Sequence, residues 1–202
     1  MQKRLMIVYC LAAILSAPVF GDDADVLKNR LNKINSFYAH FVQKVTGTSG
    51  DLIQEGKGEI WVKRPNLFNW HITEPDESRL ISDGKTLWFY NPFVKQATAN
   101  YLKKSIENTP FMLILTSNSE DWRQYHVRQD GNDFWLVPKS DEGNPKEFRI
   151  NITDNGTMKA FSIVEHDGLC SVYELKNQKQ TFIDNVQFKF TIPQNATLDD
   201  QR

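Results

Sequence analysis

Four histidines, His40, His71, His126 and His166, are the side chains best suited to hold a metal or move a proton. Such chemistry needs its groups at short, fixed spacings. These four lie on separate expected strands, with no H-E-x-x-H or C-x-x-C pattern among them. They read as ordinary strand residues, and neither a metal nor a cofactor is expected. Cys170, after His166-Asp167-Gly168-Leu169, fits a buried or incidental thiol better than a nucleophile. The chain has no G-x-S-x-G elbow and no phosphate-binding loop. Acidic residues are many, but their spacing singles out no general acid–base pair. Asn151-Ile-Thr, Asn155-Gly-Thr and Asn195-Ala-Thr match a glycosylation pattern so short that chance often produces it. The residue that asks for a role is Arg64, in WVKRPNLFNW (61–70). It follows Ile60 and Val62 at strand period, so it points to the face they point to, and Pro65 marks the strand end. A charge in such company is paired, exposed at the rim, or used.

Two kinds of element must position these residues. The stretch 23–35, DADVLKNRLNKIN, places Leu27, Leu31 and Ile34 at i, i+4 and i+7, which predicts an amphipathic helix capped by Asp23 or Asp25. From Phe37 the period changes to two. GEIWVKR, LFNWHIT, SRLIS, TLWFYN, WRQYHVRQ, DFWLVPK, EFRINIT, KAFSIVEH, SVYELKN and VQFKFTI follow, broken by Asp83-Gly84, Asp130-Gly131, Asn155-Gly156 and Asp167-Gly168. Asp-Gly and Asn-Gly suit tight hairpins, because both residues can take positive φ. The pattern predicts an antiparallel meander of about eleven strands. One segment interrupts it. NTPFMLILTSNS has Thr109 as N-cap and Pro110 at the first helical position, then an unbroken apolar run of Phe111, Met112, Leu113, Ile114 and Leu115. A surface helix needs one apolar stripe, and this run offers more than one. A buried strand is the alternative reading of the segment.

The two apolar helices need something to lie on, and a long sheet tends to curl. The fold class expected is mainly β with α, a curled antiparallel sheet whose helices plug its opening. The interior would be lined by aromatic and aliphatic side chains and would suit an apolar ligand. The N-terminal stretch has Lys3 and Arg4, an apolar run over residues 5–15, and Val19 and Gly21 as small residues at a cleavage site. That is the form of a secretory signal peptide spanning residues 1–21. The run is shorter than the roughly 20 residues a membrane span requires. Residues 22–202 then form one domain with Cys170 as its lone cysteine, so packing and not an internal disulfide must hold it. Loss of Lys3 and Arg4 moves the net charge from −1 to about −3, with no basic patch to suggest nucleic acid. A lipid-binding carrier, a secreted acyl or glycan hydrolase, and a lipocalin-like carrier of small lipids all stand at this point.

NRLNKINSFYAHFVQKV (29–45), IQEGKGEIWVKRPNLFNW (53–70), PDESRLISDGKTLWFYNPFVKQAT (75–98), NTPFML (108–113) and DDQR (199–202) resemble the outer-membrane lipoprotein carrier protein (LolA) family. The likeness runs over essentially all of residues 22–202. It implies an incomplete antiparallel barrel with an α-helical lid over an apolar cavity, with a third lid helix near residues 101–105. It implies a periplasmic, non-enzymatic chaperone of a Gram-negative bacterium, expected to be a monomer. Such a carrier takes acylated lipoproteins from a LolCDE-type ABC transporter of the inner membrane and hands them to a LolB-type receptor of the outer membrane. By the same likeness Arg64 is the lid latch, bonded to lid-helix backbone, and Phe68 sits at the mouth where the transporter engages. Leu27, Leu31, Ile34, Phe111, Met112, Ile114 and Leu115 would form the lid, with Trp70 and Ile72 lining the acyl-chain cavity.

Overall fold

Strand residues point alternately to the two faces of a sheet, and this alternation governs most of the chain. The computed structural model describes residues 22–106, 114, 122–140 and 145–202. Its strands are β1 Ser36–Thr46, β2 Leu52–Lys63, β3 Leu67–Glu74, β4 Ser78–Asp83, β5 Thr86–Asn91 and β6 Gln96–Tyr101, then β7 Tyr125–Asp130, β8 Asp133–Pro138, β9 Glu147–Ile152, β10 Met158–Val164, β11 Cys170–Lys179 and β12 Thr197–Asp200. All belong to one sheet, in the order β12-β6-β5-β4-β3-β2-β1-β11-β10-β9-β8-β7. β12 pairs with β6 in parallel, while the hairpin-linked neighbours are antiparallel. β7 and β12 end the sheet at opposite edges, so the barrel is unclosed.

The described strands number twelve, against the expected eleven. β6 and β12 escaped the sequence reading because QATANY and TLDD carry no large apolar alternation. VQFKFTI is not a strand. Asp184 accepts a hydrogen bond from the Val186 N–H at 3.0 Å and turns the chain into a 3-10 helix, Asn185–Phe188. That segment crosses the convex face, with Ile183 and Phe188 buried beneath it and Phe190 against Trp88 and Tyr90. In the four Asp-Gly and Asn-Gly turns only the glycines take positive φ, from +59° to +94°.

Ring contacts reveal the curl. Trp70 on β3 lies 5.7 Å from Phe161 on β10 and 5.0 Å from Tyr173 on β11, centroid to centroid. β3 and β10 are four strands apart, which would be about 19 Å in a flat sheet at roughly 4.8 Å per strand. The sheet must therefore wrap around a concave interior. Register shifts at Tyr38/His40, Lys57/Gly58 and Met158/Ala160 help it bend, as bulges do. At Gly58 a Cβ would stand 2.0 Å from the His71 carbonyl oxygen and 2.8 Å from Phe41 Cζ, so glycine is obligatory there.

Helix α1, Asp23–Leu31, packs against β7 and β9. Its N-cap is Asp22, whose Oδ1 accepts from the Ala24 N–H, and neither Asp23 nor Asp25 has that place. The helix also stops at Leu31, four residues before the expected end, with Asn32 as C-cap. α2, Leu102–Ile106, lies where the third lid helix was expected. Of the apolar run at 111–115, Phe111, Met112, Leu113 and Leu115 fall outside the described residues. Ile114 is helical and only 1% exposed.

Candidate functional site

The concave interior is where the expected lid and cavity residues meet. Leu27 and Leu31 of α1, together with Ile34 beyond its end, are buried in one cluster with Phe41, Ile60, Val62, Phe68, Phe148, Phe161 and Ile114. Trp70 and Ile72, partly buried, pack against this cluster, as do Leu80, Leu87 and Tyr173. Phe161 and Tyr173 stack at 4.7 Å, and Phe41 meets Trp70 at 5.2 Å. Ile60, Val62, Phe68, Trp70 and Ile72 face inward, as their strand phase predicts.

Arg64 follows directly on β2 in the same phase as Ile60 and Val62. Its Nη1 donates to the Leu31 carbonyl oxygen at 2.8 Å and to Asn32 Oδ1 at 3.2 Å. Leu31 is the last residue of α1, so its carbonyl lacks an i+4 partner within the helix. The Ile34 N–H reaches the same oxygen at 3.0 Å in a tighter final turn, and Arg64 adds the charged donor. The Arg64 backbone N–H donates to the Asn35 carbonyl oxygen at 2.9 Å, fixing where the side chain starts. Burial pushes the Arg64 guanidinium pKa down. A guanidinium remains charged at physiological pH even so, and its planar fork suits two acceptors at once.

Phe68 is placed differently from the expected mouth contact. It is 1% exposed and belongs to the core cluster. It pairs with Val62 on one side and with Ser82 on the other, on the concave face. Buried in this way it presents no ring to a partner.

Sequence reading missed Arg30. On a short helix beside Lys28 it looks like a solvated charge, yet it is 8% exposed. Its Nη1 donates to the carbonyl oxygens of Ile152 at 2.8 Å and Gly131 at 3.3 Å, and to Asn132 Oδ1 at 3.0 Å. Its Nη2 pairs with Asp154, and the guanidinium carbon lies 5.0 Å from the Phe134 ring centroid. Nε is buried with no acceptor among the described residues. The only signal in the sequence was its place one residue before Leu31, on the flank of the apolar stripe.

The remaining reactive groups stay apart. His71 pairs with Glu77 at 3.0 Å and His40 approaches the Tyr38 hydroxyl at 3.1 Å, both on strands whose inward residues are others. Burial and a hydrogen bond to Glu59 push the Tyr38 phenol up to about 12, so it stays protonated at neutral pH. Among the described residues no group of three His, Cys, Asp or Glu side chains could hold a metal. Apolar helix side chains occupy a curved apolar trough, with a guanidinium bonded to the helix end at its margin.

Comparison with known proteins agrees with this geometry. Residues 32–191 match the family model described as outer membrane lipoprotein carrier protein LolA. The chain is 59% identical over 202 residues, the full length of both, to the outer-membrane lipoprotein carrier protein of Sodalis glossinidius (strain morsitans). It is 57% identical, again over both full lengths, to that of Yersinia pestis bv. Antiqua (strain Angola). Among solved structures, an uncharacterized conserved protein from Thermus thermophilus shares the fold with a TM-score of 0.57 at 14% identity, over 88% of this chain and 98% of that one. The complex of Pseudomonas aeruginosa MucA and MucB contains a chain with a TM-score of 0.50 at 13% identity, over 85% of this chain and 62% of that one.

Proposed function

This chain belongs to the outer membrane lipoprotein carrier protein LolA family, and from that premise we propose how it takes up, shields and releases its cargo. The family is one of carriers and not of enzymes, which sets aside the hydrolase reading. The protein is a periplasmic carrier of lipoproteins.

In our reading, residues 1–21 direct export and are then removed. An inner-membrane ABC transporter of the LolCDE type supplies acylated lipoprotein, and an outer-membrane receptor of the LolB type accepts it. Each CH₂ kept out of water is worth roughly 0.8 kcal/mol, so several long acyl chains cannot cross an aqueous space unshielded. A permanent pocket of matching affinity would not let them go. The trough avoids this by exchange. When empty, Leu27, Leu31, Ile34 and Ile114 fill it. When loaded, acyl chains replace some of these contacts, and the two states differ by little. A latch of a few hydrogen bonds, net roughly 1–3 kcal/mol, is then large enough to bias the balance.

The observation that most supports this reading is Arg64 bonded to the terminal carbonyl of α1, the helix whose apolar stripe occupies the interior. The test is release of a labelled acylated lipoprotein from proteoliposomes that hold the transporter, followed by transfer to receptor-bearing liposomes. The protein should emerge as a soluble complex with intact lipoprotein and pass it on. Failure to solubilise the lipoprotein, or recovery of free small lipid in its place, would refute the reading.

A further inference from the structure

Helix α1 is fastened unequally on its two sides. Toward β7–β9 the described residues give it three tethers, one at its start, one at its end and one just past it. Asp23 Oδ2 at its start accepts from the Gln129 N–H at 2.8 Å. Arg30 at its end reaches the Gly131, Asn132 and Ile152 oxygens and Asp154. Lys33, just beyond, donates to the Asp154 carbonyl oxygen at 2.6 Å. Toward β2, the contact is concentrated at residues 31–35, where Arg64 meets Leu31, Asn32 and the Asn35 carbonyl. The two arginines also differ in setting. The Arg30 guanidinium is nearly enclosed and its bond to Ile152 is buried, whereas Arg64 is half-buried, with its bond to Leu31 partly buried and its bond to Asn32 exposed to solvent. Pulling a buried charge away from its partners is costly, because the charge or its orphaned carbonyls are left desolvated without a partner. Bonds that solvent already reaches in part are replaced by water at smaller net cost.

We propose that Arg30 is the fixed anchor of the lid helix, so that the interior opens along the Arg64 seam while α1 stays with β7–β9. Arg30 is thus a positioning residue: it selects which side of the helix separates. This rests on the carrier reading only for the identity of what enters; the asymmetry itself belongs to the empty protein. It also follows that α1 acts as part of the β7–β9 wall during opening, not as a detached flap.

The experiment measures two distances by dipolar spin-label spectroscopy, in a Cys170→Ser background. One label pair joins Asn29→Cys on α1 to Lys159→Cys on β10; the other joins Asn29→Cys to Lys85→Cys in the β4–β5 turn. All three positions are exposed. On adding a synthetic tripalmitoyl-cysteine lipopeptide, the 29–85 distance should lengthen while the 29–159 distance stays unchanged. Arg64→Leu without any lipopeptide should move 29–85 in the same direction and again leave 29–159 alone. Arg30→Met should broaden or lengthen 29–159, with Arg30→Lys intermediate. A 29–159 change as large as that of 29–85, in either the lipopeptide or the Arg64→Leu sample, would overturn the proposal. If the lipopeptide does not bind, the carrier reading suffers, while the Arg64→Leu sample still decides the anchor. Should Arg30→Met fail to fold, the distances in Arg30-containing protein decide it equally.

Discussion

Arg64 and Phe68, four residues apart, differ in how much of their placement neighbouring residues dictate. The inward direction of Arg64 was legible because its evidence is local: strand phase with Ile60 and Val62, and Pro65 at the strand end; its bond to the helix was implied by likeness alone. Its bond to Leu31 completes a helix end that the sequence already leaves short of donors. Arg64→Leu removes the charged donor and so favours the open, loaded state. Release to the receptor should slow by roughly tenfold, the equivalent of about 1.4 kcal/mol within the range for a few hydrogen bonds. Arg64→Lys should recover only part of the rate, since an ammonium lacks the planar fork. Transfer kinetics to receptor-bearing liposomes measure both, and a wild-type rate for Arg64→Leu would end the latch idea. Phe68 was assigned to the mouth by likeness, and no local signal distinguishes a rim aromatic from a core one. Its burial comes from neighbours distant in sequence. Phe68→Ala should therefore cost about 3–5 kcal/mol. At roughly 2–4 °C per kcal/mol for a domain of this size, calorimetry should show the melting temperature falling by about 6–20 °C. A fall of a degree or less would return Phe68 to the exposed mouth. Any loss of transporter-dependent release must be judged against that stability change. Arg30 was illegible for a physical reason: its acceptors Gly131 and Ile152 lie 101 and 122 residues away, and nothing in DADVLKNRL forecasts them.

At the scale of elements, legibility follows how local the stabilising interaction is. The Leu27, Leu31 and Ile34 stripe and the glycine turns announce themselves, since helix phase and positive φ depend on a few adjacent residues. The end of α1 does not, because it is set partly by what waits for the Leu31 carbonyl across the interior. β6 and β12 fail for the opposite cause. Ala97 and Ala99 are fully buried, but alanine gives too weak an alternation to mark a strand. VQFKFTI has the alternation and spends it on the convex face, where Asp184 starts a turn. Gly58 offers a test of how tightly β1, β2 and β3 are pressed together. Gly58→Ala places a methyl against the His71 carbonyl and the Phe41 ring, so backbone must shift. Gly50→Ala has open space around its Cβ and suffers only from φ of +84°, a penalty of roughly 1–2 kcal/mol. Chemical denaturation of the two variants should show Gly58→Ala clearly the less stable. Equal midpoints would mean that β1 and β3 approach each other less closely than this.

The whole molecule has to manage an unclosed sheet of twelve strands, and each of its edges is handled by a different device. At β7 the Gln129 N–H, directed away from β8, is taken by Asp23 of α1, so that helix also caps an edge. At the other end β6 would be the edge if β12 were not laid beside it in parallel. The Thr197 N–H donates to the Lys95 carbonyl oxygen at 2.8 Å, and the Gln201 N–H donates to that of Ala99 at 2.9 Å. Arg202 pins the strand further, donating to Thr86 Oγ1 at 3.3 Å and lying over the Trp88 ring at 5.3 Å. That the curled sheet stays unclosed was legible only through likeness to a family, because no residue pattern states which strands fail to meet. The polar stretch TLDDQR carries no hint that it protects an edge. An unprotected edge strand offers a row of unpaired donors and acceptors to any second chain, and such edges are prone to self-association. Deleting residues 195–202 should therefore leave a folded protein that forms dimers and larger species as its concentration rises, visible by sedimentation velocity. Thr98→Lys in the deleted chain should restore the monomer, since a lysine on an edge strand opposes pairing with a second copy. If the deleted chain stays monomeric across the concentrations at which the full chain is monomeric, β12 must serve something other than edge protection. If it associates but Thr98→Lys has no effect, the association runs through the uncovered Trp88 and Phe190 surface and not through the backbone of β6.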